Sequence, residues 1–373
     1  MLMLNEARFD NISKRDTDLF IETYVKELDD LSLVSITQNT SYLKKITGPN
    51  NFTSLATYWH PNPDSPTGFP YIRKDGIRNN VSGKISDTFF LSRMIRYISI
   101  SSFIYRITKS EEYCKKAVDL IRFFFLEEDS RMNPDLTYSG IVMGDSENDL
   151  KIRGAIIDTN RLPVVIDMMS LLRNNTHWTD DDEEGMRQWF GNLSDWFQNS
   201  PRGVIQSNYY HNIKTSYMLQ LASYLHAAGK QEEARSYLEA NVKEVLSRQI
   251  ASDGSQPLEM ERVTKLQYCN FNLVLLCNLA KVCSNLGVDI WDYSDSQGCG
   301  SIKNAMIYMC DMYMNPDKWT FTDEKNNSSI TRGWLENGVS LYDDQILHDV
   351  YKQVKIYNFC NIFEHVLVAD RKI

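Results

Sequence analysis

The sequence predicts an all-α fold in which helical hairpins stack into a ring or partial barrel. Apolar residues recur at helical spacing through most of the chain, and segments of strand-like alternation are few. Helices with one wet face alternate with helices that are apolar almost all round, which suggests outer and inner layers.

The elements follow in order. Ser13 caps a helix through RDTDLFIETYVKELDDL, with Leu19, Ile21, Tyr24, Val25 and Leu28 near a 3.6-residue period. Residues 48–80 are rich in Asn, Pro and Gly and predict a long irregular stretch. Helices are then predicted over about 86–107, 111–127, 158–173, 180–199, 212–228, 231–249, 262–287, 300–313 and 343–370. In QEEARSYLEANVKEVLSRQ, Ala234, Tyr237, Leu238, Asn241, Val242 and Val245 form one stripe with charges opposite, as expected of an outer helix. LQYCNFNLVLLCNLAKVCSNL is apolar nearly all round and predicts an inner, buried one. A small β element is expected near WTFTDEKNNSSITRGW. No strict period of the solenoid kind occurs, and no composition break divides the chain, so a single domain over 1–373 is expected.

Composition narrows the function. The chain has 373 residues and a net charge of -9, which leaves no basic footprint for nucleic acid. A polyanionic ligand therefore needs a local basic patch. No apolar run is long enough for a membrane span, and MLMLNEARFDN lacks the pattern of a signal peptide. The seven cysteines include no C-x-x-C pair, and the six histidines lack ligand spacing, so no metal or other cofactor is expected. Asn-x-Ser/Thr triplets at Asn11, Asn39, Asn51, Asn80, Asn174, Asn192, Asn326 and Asn327 hint at a secreted glycoprotein.

Three stretches could carry chemistry. In YWHPNPDSPTGFPYIRKDGIR, prolines and glycines make a loop, decorated by Trp59, Tyr71, Arg73, Lys74 and Arg78. Aromatic faces there could stack on sugar rings beside cations suited to carboxylates. A loop pinned down by its aromatics is the structural alternative. In QSNYYHNIKTSYMLQ, Tyr210, His211 and Asn212 gather polar groups where a helix begins, and Asn212 is well placed as an N-cap. A helix N-terminus also favours an anion. In DGSQPLEMERVTKLQY, Asp253-Gly254 marks a turn and Pro257 precedes the inner helix. On a continuous helix Arg262 and Tyr268 would lie about 120° apart, with about 9 Å of rise between them. They converge only if Arg262 lies at an irregular helix start. Otherwise Tyr268 reads as a core residue, and Arg262 as the ion-pair partner of Glu259 or Glu261.

Jointly these stretches resemble the alginate lyase family, polysaccharide lyases built on an α/α toroid. YWHPNPDSPTGFPYIRKDG looks like that family's lid segment. MNPDLTYSGIV followed by IRGAIIDTNRL is similar to its next marker, with Asp158 and Arg161. DGSQPLEMERVTKLQY resembles the family's D-G-S-x-P-L-E-x-x-R…Y motif very closely, and order and spacing agree over roughly 50–285.

The resemblance implies an incomplete α/α toroid with a long lid loop at about 55–80, little β structure, and β-elimination on a uronic-acid polymer. It implies Tyr268 as base and acid, with Arg262 and Asn212 neutralising the carboxylate and His211 assisting. Trp59, Tyr71, Arg73, Lys74, Tyr210, Gln256 and Glu259 are then expected to bind substrate. One departure stands out. The family's Asn-Asn-His aligns with His211-Asn212-Ile213, so Ile213 occupies the position of the catalytic histidine. An acidic polysaccharide is the expected partner, outside the cell. A binding protein without catalysis, or a glycoside hydrolase using Asp158, Asp253 or Glu259, are the competing expectations.

Overall fold

The computed structural model describes residues 2–4, 12–29, 32–146, 148–319 and 332–354. Helices run over Lys14–Asp29 (α1), Thr88–Thr108 (α2), Glu111–Ile121 (α3), Pro163–Leu172 (α4), Asp180–Asn199 (α5), Pro201–Ser207 (α6), Asn212–Ala227 (α7), Gln231–Gln249 (α8), Pro257–Met260 (α9), Lys265–Asn285 (α10), Ile302–Met314 (α11), Arg332–Leu341 (α12) and Gln345–Gln353 (α13). The all-α class expected from the sequence is observed. The predicted β element lies almost wholly outside the described residues, although Trp334 at its end sits in α12. The part of the last predicted helix beyond residue 354 also lies outside them. Among the described residues, no helix is long and apolar enough to cross a membrane.

The described residues group into two compact units. One comprises Ile21–Asn208 with Ser223–Lys230; the other comprises Met1–Phe20, Tyr209–Ala222 and Gln231–Ile373. Below they are called the N-terminal and C-terminal units.

In the N-terminal unit, helices α2 to α5 bury aromatic and branched side chains. Phe124, Phe125, Phe190 and Phe197 are closed off from solvent, and Phe125, Trp189 and Phe190 meet edge to face. α5 starts on a capping box, in which Thr179 and Asp182 exchange hydrogen bonds with each other's backbone. Arg122 then pairs with Asp182 at 2.7 Å, joining the end of the predicted 111–127 helix to α5. That predicted helix is regular only to Ile121. A π-helical stretch, Arg122–Leu126, completes it.

The irregular stretch in this unit is pinned by a buried polar knot. Lys44 Nζ meets Asp87 Oδ2 at 2.6 Å and donates to the carbonyls of Pro49 and Asn51. Asp87 also accepts from Thr53 N and Asn39 Nδ2. With both charges out of water, these bonds offset the cost of burying them. Beyond the knot the chain pairs as two short antiparallel ribbons, β1 (Trp59–His60) with β2 (Ile72–Arg73), and β3 (Ile141–Met143) with β4 (Leu150–Ile152). A cluster of Leu43, Leu55, Ile141 and Met143 underlies them, with Phe69 and Tyr71 packed against it.

In the C-terminal unit, α10 is buried along nearly all of its length, as its all-round apolar sequence predicts. α8 buries Ala234, Leu238, Val242 and Val245 and exposes its charges. Trp334 of α12 is fully enclosed, its indole N–H donating to Asn270 Oδ1 at 3.0 Å. The cysteines at 114, 269, 277, 283, 299 and 310 carry free thiols.

Candidate active site

The stretch DGSQPLEMERVTKLQY folds as a turn, a single helical turn, a break and a long helix. Asp253 Oδ1 accepts from Ser255 N at 2.9 Å. Gly254 adopts φ 88°, and a Cβ there would lie 2.2 Å from the carbonyl oxygen of Asn304, so both backbone shape and space demand glycine. Pro257 opens α9, which ends at Met260, and α10 starts only at Lys265. Arg262 lies in the break. The break removes the 120° obstacle of a continuous helix: Arg262 Nη2 donates to the Tyr268 hydroxyl at 2.6 Å, and the guanidinium carbon lies 3.7 Å from the ring centroid. Tyr268 is half-buried, not a core residue.

Asn212 opens α7 and is 3% exposed. It does not cap the helix with its side chain. Its backbone N–H donates to Glu259 Oε1 at 2.6 Å, and its Nδ2 donates to Glu259 Oε2 at 2.7 Å. Both oxygens of Glu259 thus accept from Asn212, while Arg262 acts on that carboxylate through its charge. Burial pushes the Glu259 carboxyl up to about 7, opposed by the two bonds from Asn212 and by the charge of Arg262.

His211 is half-buried just ahead of α7. Its Nδ1 accepts from Ile213 N at 3.4 Å, so in the neutral ring Nε2 carries the hydrogen. Burial, reinforced by the charge of Arg262, holds its pKa below the ordinary histidine value. One guanidinium therefore touches Tyr268 and acts electrostatically on both His211 and Glu259.

A closed amide network fixes this arrangement from behind. Asn272 Nδ2 donates to Gln249 Oε1 and to Gln256 Oε1, Gln256 Nε2 donates to Cys269 O, and Thr215 Oγ1 bonds both Gln249 and Asn272. Gln249 Nε2 reaches His211 O at 3.3 Å. These bonds tie α7, α8, α10 and the residue just before α9 together at the level of the site. Every polar group in the network finds a partner, as burial requires. Gln256 and Glu259 are each 1% exposed and bonded inside the protein. Neither of these side chains, both expected to bind substrate, lies on the surface: Glu259 bonds Asn212, and Gln256 bonds Asn272 and Cys269. Glu259 is likewise unsuited to hydrolase chemistry, because both of its oxygens are occupied by Asn212.

Tyr210 is exposed, with the Arg248 guanidinium 4.3 Å from its ring centroid; Arg248 also pairs with Glu244 at 2.7 Å. The remaining expected site residues belong to the N-terminal unit. Trp59 pairs with Arg73 across the β1–β2 ribbon, and the Arg153 guanidinium lies 5.7 Å from the Trp59 ring. Arg73 is exposed and bonded to Asp75 at 2.9 Å, and Lys74 is exposed. Tyr71 anchors the loop: its ring packs on the apolar cluster and its N–H donates to Met143 O at 2.9 Å. Asp158 accepts from Ser54 Oγ, and burial pushes its pKa up to about 6. The sequence reading missed Arg153, Arg248, Gln249 and Asn272. For Asn272 a signal existed: it is an amide one helical turn after Tyr268 in an otherwise apolar helix.

The helical scaffold thus carries a half-buried phenol bonded to a guanidinium, and that guanidinium also acts on the buried carboxylate that holds Asn212. The family model described as alginate lyase matches residues 35–319, and the chain belongs to that family. Its class is that of a polysaccharide lyase. An alginate lyase from Bacteroides ovatus, known from its crystal structure, is similar to it at 25% identity with a TM-score of 0.86, covering 99% of each chain. Alginate lyase A1-III from Sphingomonas species A1 is 15% identical, with a TM-score of 0.50 over 87% of each chain. A variant of alginate lyase A1-III complexed with a tetrasaccharide is 14% identical, with a TM-score of 0.53 over 88% of this chain and 89% of that one. The last two speak for the fold alone, and it is the helical fold expected from the sequence. None of the curated proteins compared with the chain matches it.

Proposed function

We propose that the chain cleaves a uronic-acid polymer of the alginate or glucuronan type by β-elimination, with Tyr268 as base and acid. The Tyr268 phenolate takes the proton from C5, the C5–H electrons form the C4=C5 bond, and the C4–O4 bond breaks. The phenol then returns the proton to O4, which leaves one unsaturated uronate end. Arg262 lowers the cost of the phenolate and, with the free hydrogen of the Asn212 amide, draws charge from the substrate carboxylate, which acidifies C5. His211 presents Nε2–H as a donor. Its ring is poorly placed to be the base, because its acceptor nitrogen faces the Ile213 N–H. Isoleucine at 213 therefore leaves the tyrosine as the group that moves both protons.

The observation that carries this reading is the 2.6 Å bond from Arg262 to a half-buried Tyr268 hydroxyl, the same guanidinium acting on the Glu259 carboxylate that fixes Asn212. Tyr210 supplies exposed aromatic surface for a neighbouring sugar unit, and Trp59, Arg73 and Lys74 give the N-terminal unit aromatic and cationic surface of its own. Incubation with a panel of polyuronates should produce the ultraviolet absorbance of an unsaturated uronate. Reducing ends without that absorbance would mean hydrolysis, and saturable binding without either would mean a binding protein.

Export from the cell fits a polymeric substrate and the exposed triplet asparagines Asn80, Asn174 and Asn192. Asn39, by contrast, is buried with its amide bonded to Asp87. Recovery of the protein only from the cell interior would contradict export.

A further inference from the structure

We infer that Glu259 is a positioning residue whose ionised carboxylate orients the Asn212 amide, so that protonating it disengages Asn212 from the substrate. The inference rests on the reading of Asn212 given above and adds a proton-controlled step to it.

Asn212 offers two donors side by side, its backbone N–H and its Nδ2–H, and each carboxylate oxygen of Glu259 takes one, at 2.6 and 2.7 Å. Only a group with two acceptors satisfies both. A neutral carboxylic acid or an amide would turn one of its own donors against a donor of Asn212. The ionised clamp holds Nδ2 by one hydrogen and leaves the other for the substrate carboxylate. Once Glu259 is protonated, the better partner for its O–H is Asn212 Oδ1. The amide must then turn over, and the free hydrogen no longer points where it did.

The carboxylate sits where this equilibrium is finely poised. At 1% exposure it has little water to stabilise its charge, which favours the acid form. The N-terminus of α7, both Asn212 bonds and the nearby Arg262 favour the ionised form. The groups that act on it are Asn212, at the start of α7, and Arg262, in the break after α9. Burial and the charge of Arg262 hold the pKa of the neighbouring His211 below the ordinary histidine value, which favours its neutral form. The midpoint of about 7 expected from these opposing effects places the change inside the ordinary working range.

Two measurements on the full chain test this. The first follows the side-chain amide resonance of Asn212, assigned by its loss in Asn212→Ala, in 15N-labelled protein from pH 5 to pH 9. It should shift with a midpoint near 7 in the wild type and stay flat in Glu259→Gln. The second is the pH profile of kcat/KM on a polyuronate. The wild-type profile should step down by about tenfold in total as the pH falls through a midpoint near 7 because of this group. Glu259→Gln should lose that ionisation and run about tenfold slower at pH 8, and combining it with Asn212→Ala should cost nothing further. An Asn212 resonance that does not move between pH 5 and pH 9 overturns the inference, as does a Glu259→Gln profile that keeps the limb. Should Glu259→Gln fail to fold, the wild-type titration still decides. If the amide titrates as described but the wild type releases no unsaturated product, the functional reading fails and the coupling of the two residues stands.

Discussion

Replacing Tyr268 by phenylalanine should lower the rate of unsaturated-product formation by about 10^3-fold or more, at nearly unchanged stability. General acid–base catalysis by a placed side chain contributes about 10^2–10^4-fold, and here one hydroxyl serves both proton transfers. The substitution removes only that hydroxyl. The ring remains half-buried against the Arg262 guanidinium, whose carbon lies 3.7 Å from its centroid, so the cation–π contact survives. The amide network of Gln249, Gln256 and Asn272 does not touch the hydroxyl and holds the surrounding helices as before. Loss of activity should therefore appear in kcat, with thermal unfolding and polyuronate binding close to wild type. A variant that turns over at the wild-type rate would leave Tyr268 without a chemical role.

The second large effect belongs to Arg262. Arg262→Met removes the charge beside the phenol while keeping a long flexible side chain, and kcat/KM should fall about 10^2–10^3-fold, the scale of losing one placed electrostatic donor. The pH profile should move too. Without the cation the phenol is harder to ionise, so the limb that reports the base should shift to higher pH, and raising the pH should recover part of the loss. Arg262→Lys should fall between the two. A lysine restores the charge as a point on a flexible stem, without the planar fork that lets arginine bond the hydroxyl while covering the ring. If Arg262→Met and the wild type share one pH profile, the guanidinium does not tune the tyrosine.

Where one strong periodicity governs, the sequence was readable. α5, α7 and α8 lie where their 3.6-residue stripes place them. The turn at Asp253-Gly254, the proline at the start of α9 and the convergence of Arg262 with Tyr268 could all be anticipated from the DGSQPLEMERVTKLQY stretch. The convergence depended on a condition the sequence could state but not decide, namely whether the helix breaks between Met260 and Lys265.

The elements that escaped reading fail the same test of pattern. α6 starts Pro-Arg-Gly and spans seven residues, and α12 carries Gly333 and Gly338, so neither offers the length or composition of a persuasive helix. The β1–β2 ribbon pairs only two residues on each strand. The role of Glu259 was not readable because its partner Asn212 lies 47 residues earlier in the chain. An isolated Pro-Leu-Glu looks like a solvated helix start. Gln256 escaped for the same reason, since its amide is spent on Asn272 and Cys269, both on α10.

The most direct test is a crystal structure of the Tyr268→Phe variant with a bound uronate oligosaccharide. The account predicts one sugar unit with its carboxylate within hydrogen-bond distance of Arg262 and of the Asn212 amide. Its C5 should lie about 3–3.5 Å from the position the missing hydroxyl would occupy. An oligosaccharide bound with every C5 well beyond that reach, or with its carboxylates turned away from residues 212 and 262, would contradict it.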